Sequence, residues 1–313
     1  MNISKPIPLV PYTGIARFLR GDIKEERTDF KSDIVFVGVP YDGGTSNRPG
    51  ARYGPQALRA ASMLYCYGEK GRKFQGIYDV DKGKKVLEGV SIADTGDIET
   101  FSNNQNLTLE LIMEEMGKVY KASKVAVIAG GDHSISYGSI SQLGEECDVI
   151  HFDAHTDYMD PDNDSYCAHG TVMNKVSQLA HVRRIVHCGI RGLLNSEYSV
   201  GKAVENGDVV VTAEEVHKKG TGIIQEYLTK DVPYYVTFDV DVLDPSIAPG
   251  TGTPEPGGFS YRQMREMLSI VGRTHKLRAI DVVEVNPLFD QTTNTAQHAV
   301  RLLIDLLGEH FGT

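Results

Sequence analysis

No apolar run in this chain approaches the roughly 20 residues a membrane-crossing helix needs, so no membrane contact is expected. The opening Met1-Asn2-Ile3-Ser4-Lys5-Pro6 carries no apolar core of the secretory kind. Cysteine is scarce: Cys66, Cys147, Cys167 and Cys188 are irregularly spaced and form no C-x-x-C pair. In a chain of 313 residues this reads as reduced thiols in a cytoplasmic protein, not a disulfide framework. There is no basic block, and the net charge is −10, which disfavours nucleic acid as a partner. Long linkers, repeats and low-complexity segments are also missing, so residues 1–313 are expected to form a single domain.

What the chain does have is short apolar runs rich in β-branched residues, which predict buried strands. They are Ile34–Val39, Val125–Ala129, Val149–Phe152, Arg184–Cys188, Val209–Thr212, Tyr234–Phe238 and Leu277–Val285, with Val90–Ala93 as a further candidate. Helical patterns fall between them at Pro55–Tyr65, Leu107–Ala122, Gly222–Leu228, Tyr261–Val271 and Thr295–Leu307. The alternation predicts a parallel sheet with helices on both faces. Residues 1–27 are expected to be an arm outside the core.

Three polar clusters follow predicted strands, where open parallel sheets place their ligands. Gly130-Gly131-Asp132-His133-Ser134 follows the second run; alone, it fits a turn capped by Asp132 or Ser134 better than a ligand site. Asp153-Ala154-His155-Thr156-Asp157 leaves a wholly apolar strand, and alternation lets Asp153, His155 and Asp157 point one way. Asp239 and Asp241 share a face in the same sense, whereas Asp244 before Pro245 suits a turn. Neighbouring carboxylates repel unless protonated or bridged by cations. Together, His133, Asp153, His155, Asp157, Asp239 and Asp241 are more ligands than one small catalytic ion takes from protein, and four carboxylates balance two divalent ions. Oxygen and imidazole donors without thiolate suit hard or borderline ions.

The stretches GGDHS, DAHTD and FDVDVLDPSIAPGTGTPEPGG resemble, in order, the signatures of the ureohydrolases, the arginase and agmatinase family. The resemblance implies an α/β fold, a three-layer α/β/α domain with a roughly eight-stranded parallel sheet. It implies two Mn2+ per chain, hydrolysis of a small cationic guanidino substrate to urea and an amine, and assembly as a homotrimer or homohexamer. The donor chemistry equally admits Co2+, Ni2+ or Fe2+. Carried over by position, His133, Asp153, Asp157 and Asp239 match the ligands of one ion, and Asp153, His155, Asp239 and Asp241 those of the other. His169, in Ala168-His169-Gly170-Thr171, resembles the family's catalytic histidine, and Glu284 the acid that holds the guanidinium.

Within the family, agmatinase is the closer resemblance, through Tyr12–Phe18 and Gly44–Pro55. Met159 stands where arginases commonly place an asparagine that reads the substrate's α-carboxylate, and no acid follows Gly189-Ile190-Arg191. Tyr158, Met159, Ala168, Val172 and Met173 depart from agmatinases on the side expected to face substrate, which leaves 4-guanidinobutanoate or another guanidino compound as the alternative. Tyr158, Met159 and the loop up to His169 are expected to decide specificity. Arg48 is read as a loop anchor, and His151 either as a partner of a ligand carboxylate or as a satisfied core residue. The rivals from other classes are a one-zinc deacetylase and a metal-bound protein without catalysis.

Overall fold

The computed structural model describes residues 11–66, 74, 76–160 and 167–312. Its strands are β1 (Asp22–Ile23), β2 (Ser32–Val39), β3 (Ile77–Asp79), β4 (Lys84–Val86), β5 (Ile92–Asp97), β6 (Ser123–Gly130), β7 (Cys147–Phe152), β8 (Val182–Ile190), β9 (Val209–Thr212), β10 (Tyr234–Asp239) and β11 (Leu277–Val283). Its helices are α1 (Gly54–Ser62), α2 (Gln105–Ala122), α3 (Ile135–Ile140), α4 (Val172–Val176), α5 (Glu197–Glu205), α6 (Ala213–Lys219), α7 (Tyr261–Gly272) and α8 (Asn294–His310).

Nine strands form one sheet in the order β1-β5-β2-β6-β11-β10-β7-β8-β9, and all its pairings are parallel. Alternation along each strand sends side chains to two separate cores. On β6, Val125, Val127 and Ala129 pack with Leu58, Met264 and Val300 of α1, α7 and α8. Ala126 and Ile128 pack on the other face with Ile112 of α2, Ile135 of α3 and Val172 of α4. These are the three layers the strand–helix alternation predicts.

The arm is where the sequence reading needs correction. Residues 1–10 lie outside the described part, but Phe18 and Leu19 are fully buried. Phe18 stacks on Phe36 with ring centroids 4.6 Å apart, and its N–H donates to Asp94 Oδ2 at 2.8 Å. The next residues form β1 on the edge of the sheet, so the arm supplies a ninth strand and part of the core. Smaller differences have local causes. The final predicted strand stops at Val283 because Glu284 turns to φ +62°. The segment read as a helix over Gly222–Leu228 is a 3₁₀ turn, Thr221–Tyr227.

Candidate metal centre and substrate cavity

The site is assembled at the carboxyl ends of four contiguous strands, β6, β11, β10 and β7, in the middle of the sheet. This is where open parallel sheets bind ligands. Gly131 makes the exit from β6 possible. A Cβ there would lie 1.6 Å from Tyr41 O, so only glycine fits. Its carbonyl accepts from Glu284 N–H at 2.8 Å, and Glu284 Oε1 accepts from His133 N–H at 3.0 Å. The β6 and β11 loops are thereby locked together. Glu284 and Asp157 both hold left-handed backbone, φ +62° and +49°, an uncommon conformation for residues other than glycine that surrounding contacts must enforce.

The six predicted metal-type side chains come together. His133 Nδ1 lies 3.0 Å from Asp157 Oδ2, 3.1 Å from Asp153 Oδ2 and 3.4 Å from Asp239 Oδ2. His155 Nδ1 lies 3.1 Å from Asp241 Oδ2 and 3.5 Å from Asp153 Oδ1. Asp153 therefore touches both halves, one oxygen to each. The fit to cations can be tested on His133. Its Nε2 meets Thr237 Oγ1 at 2.7 Å; in the neutral tautomer that donates there, Nδ1 carries a lone pair. That Nδ1 is buried without a hydrogen-bond partner, yet three carboxylate oxygens converge on it. A lone pair and carboxylates aimed at one point are a donor set for a divalent cation.

Electrostatics agree. Burial, with Asp241 and Asp153 alongside, pushes the Asp239 carboxyl well above the usual range. Burial and then Asp153 push Asp241 to about 6. Burial would lower His133 and His155, but the facing carboxylates outweigh it, holding His133 well above its ordinary value and His155 up to about 12. The protein alone is thus short of positive charge at this point.

Behind the cluster, parallel register builds a polar row. Thr237 pairs with Asp281 on one side and His151 on the other, and His151 pairs with His187. His151 Nε2 reaches Asp153 Oδ2 at 2.8 Å, and its Nδ1 reaches His187 Nδ1 at 2.8 Å. The two imidazoles and the Asp153 carboxylate thus form one hydrogen-bonded chain. The buried His187 Nε2 has no hydrogen-bond partner among the described residues. Burial, and next the neighbouring His151, hold His187 well below its usual pKa.

Over the cluster lies a cavity of about 450 Å³ lined by Gly44, Ser46, Met159, Asp160, His169, Leu194, Glu284 and others. His169 Nδ1 lies 3.1 Å from Glu284 Oε1, while its Nε2 receives the Ser46 N–H at 3.1 Å and lies 2.7 Å from Ser46 Oγ. Burial would lower the His169 pKa, but Glu284 raises it to about 9. The Ser46 N–H opposes a proton on Nε2. A full carboxylate charge outweighs a backbone dipole on an exposed loop, so the raised direction stands. Gly44 ties this loop down, its N–H donating to Asp132 Oδ2 at 2.6 Å and its carbonyl accepting from His169 N–H. Asp132 is therefore a loop tether as well as a local cap.

Some expectations fail here. Tyr158, Val172 and Met173 are buried away from the cavity; Tyr158 Oη donates to Asp208 Oδ2 at 2.9 Å instead. Met159 and Ala168 do line it, and residues 161–166 of the intervening loop lie outside the described part. Arg48 behaves as an anchor, its guanidinium 5.3 Å over the Phe289 ring. Ser46, Thr237, His187 and Asp160 were missed. For Thr237 and His187 the available signal was a polar residue inside an apolar strand, which needs a buried partner.

Comparison with known proteins agrees with this geometry. The model of the arginase family matches residues 32–308. The chain is 34% identical over 286 residues to proclavaminate amidinohydrolase of Streptomyces clavuligerus, covering 89% of this chain and 88% of that protein. It is 36% identical over 290 residues to mitochondrial agmatinase of Gallus gallus, covering 88% and 80%. The solved structure of the Streptomyces clavuligerus enzyme superposes with a TM-score of 0.85 at 32% identity, over 96% of this chain and 99% of that one. The family match across most of the chain, the shared fold and the His/Asp cluster with its overlying cavity lead to one conclusion: this protein is a member of the arginase family, the ureohydrolases.

Proposed function

We propose that the protein is a binuclear manganese hydrolase that cleaves agmatine to putrescine and urea. The observation that carries this reading is convergence: six metal-type side chains from three distant stretches meet beneath a cavity that also holds Glu284 and His169. In this reading His133, Asp153, Asp157 and Asp239 hold one ion, and Asp153, His155, Asp239 and Asp241 the other. When bound, two such ions supply Lewis acidity and lower the pKa of water.

The chain's own residues do the rest. Glu284 is 4% exposed and ionically pairs with the guanidinium, orienting its carbon over Asp239 and Asp241. The burial of Glu284 keeps bulk water from that pair. His169 shares the proton on Nδ1 with Glu284 and presents Nε2 toward Ser46, a geometry suited to passing a proton to the departing amine. One water adds its oxygen to the guanidinium carbon, the bond from that carbon to the alkyl-substituted nitrogen breaks, the amine leaves carrying a proton from that water by way of His169, and urea keeps the oxygen. Similarity to proclavaminate amidinohydrolase and to a guanidinobutyrase keeps 4-guanidinobutanoate or another guanidino compound as the alternative substrate. A cytoplasmic homotrimer or homohexamer belongs to the same proposal.

The test is urea release by manganese-loaded protein from agmatine, arginine and 4-guanidinobutanoate. Agmatine is expected to give the highest kcat/KM. Absence of urea from every guanidine overturns the reading. Asp153→Asn should remove bound metal and activity together, and retained activity refutes its bridging role.

A further inference from the structure

We propose that Asp160 selects the far end of the substrate by pairing with a second positive charge, so that the preferred class is a guanidine carrying a distal ammonium. This rests on the guanidino-hydrolase reading above.

The cavity changes character from floor to mouth. Asp239, Asp241 and Glu284 at the floor are 2–4% exposed. Met159 and Leu194, also lining it, are 55% and 61% exposed and offer apolar flanks. Asp160, in the same lining, has a side chain 51% exposed. Two buried-floor acids with Glu284, apolar flanks and a second, half-exposed acid in one cavity suit a ligand with a cation at each end and methylenes between. Among the described lining residues there is no lysine or arginine, so nothing there favours a distal carboxylate.

Asp160 is also held in place. Tyr198 Oη donates to its Oδ2 at 2.6 Å, Asn174 Nδ2 donates to its Oδ1 at 3.1 Å, and Lys202 pairs with Oδ1. The same Asn174 nitrogen donates to Met159 O at 3.1 Å, coupling the acid to the apolar flank beside it. A carboxylate has roughly four acceptor positions. Three donors therefore orient Asp160 and leave one position on Oδ2 for a ligand, a preorganised arrangement that limits the entropy lost on binding. Lys202 is not among the cavity's lining residues. Lys202, and next Tyr198, hold the Asp160 carboxyl below its usual pKa, so it is ionised at neutral pH.

The experiment compares agmatine with n-butylguanidine, which lacks the distal charge, in wild type and Asp160→Asn. The amide keeps an acceptor for Tyr198 or Asn174, and unchanged melting confirms the fold. For agmatine, KM is expected to rise about tenfold with kcat within twofold, the size of one charge-assisted hydrogen bond at a half-exposed position. For n-butylguanidine, neither constant should move. Asp160→Lys should narrow the preference for agmatine over 4-guanidinobutanoate. Equal effects on agmatine and n-butylguanidine, or no effect on either, overturn the proposal while leaving the hydrolase intact. Failure of the wild type on every guanidine overturns the parent reading instead.

Discussion

Replacing Glu284 by glutamine removes a charge and little else. The side chain keeps its shape, its left-handed backbone and an oxygen to accept from His133 N–H at 3.0 Å. What it loses is the ionic partner of the guanidinium in a site that is 4% exposed. Breaking a buried ion pair from one side costs about 3–5 kcal/mol. At about 1.4 kcal/mol per decade, kcat/KM for agmatine should fall by roughly a hundredfold to several thousandfold. A second signature follows from His169, which Glu284 raises to about 9 against the opposing effect of burial. In the variant that support is gone, and the alkaline limb of kcat/KM should move to lower pH. The sign for stability is also set. A raised folded pKa contributes fully below the unfolded value of about 6.5 and is lost as pH rises through about 9. Wild type should therefore lose melting temperature across that window more steeply than the variant. Urea release against pH and melting against pH measure both. A loss of activity under tenfold, with an unmoved alkaline limb, would refute the assigned role of Glu284.

The other expectations concern metal and packing. Two divalent ions, each at a hundred times its Kd, stabilise the fold by about 5 kcal/mol; at about 2.1 cal/mol/K per residue over 313 residues, chelation should lower Tm by about 8 °C. An unchanged melting curve after verified metal removal counts against the buried binuclear site. Gly131→Ala places a methyl 1.6 Å from Tyr41 O, so overpacking of about 3 kcal/mol should lower Tm by about 5 °C and reduce kcat by displacing Glu284; a variant that melts within a degree of wild type would show that the exit from β6 has slack. His187→Phe keeps an aromatic ring but removes the hydrogen-bond partner of His151 Nδ1, and metal affinity measured by competition with a chelator should drop about tenfold. Unaltered affinity would mean that the His151 orientation does not depend on His187.

The candidate metal-site side chains were legible because parallel strands are read as uninterrupted apolar runs, and charge placed directly after such a run needs a reason. Asp153, His155, Asp157, Asp239 and Asp241 all announce themselves in this way. His133 was legible only in company, since its local sequence also suits an ordinary turn. The arm was misread because Asp22 and Ile23 form a two-residue edge strand with no periodicity to detect, and Phe18 and Leu19 are buried by residues far along the chain, Phe36 and Ser62 among them. Hairpin β3–β4 escaped for a related reason: Lys84 and Lys85 mask its pattern, and an ion pair of Arg265 with Asp79 ties it to α7. The pairing of His151 with His187 exists only through register between strands, which a single sequence does not display. Tyr158 was misplaced because one step along the exit loop reverses which way a side chain faces.

The polar row beneath the cluster has a consequence for exchange kinetics. Thr237, His151 and His187 lie inside interior strands β10, β7 and β8, hydrogen-bonded on both edges. Strands of that kind open last in native-state fluctuations, at free energies near that of global unfolding. Amides along Val149–Phe152 and Val236–Asp239 should accordingly be among the slowest to exchange with deuterium, while those of the exposed Asn47 and Arg48 exchange early. Ions seated on this floor would then leave by way of the loops above and not by fraying beneath them, so their residence time should follow the opening of the cavity roof and not the melting of the sheet.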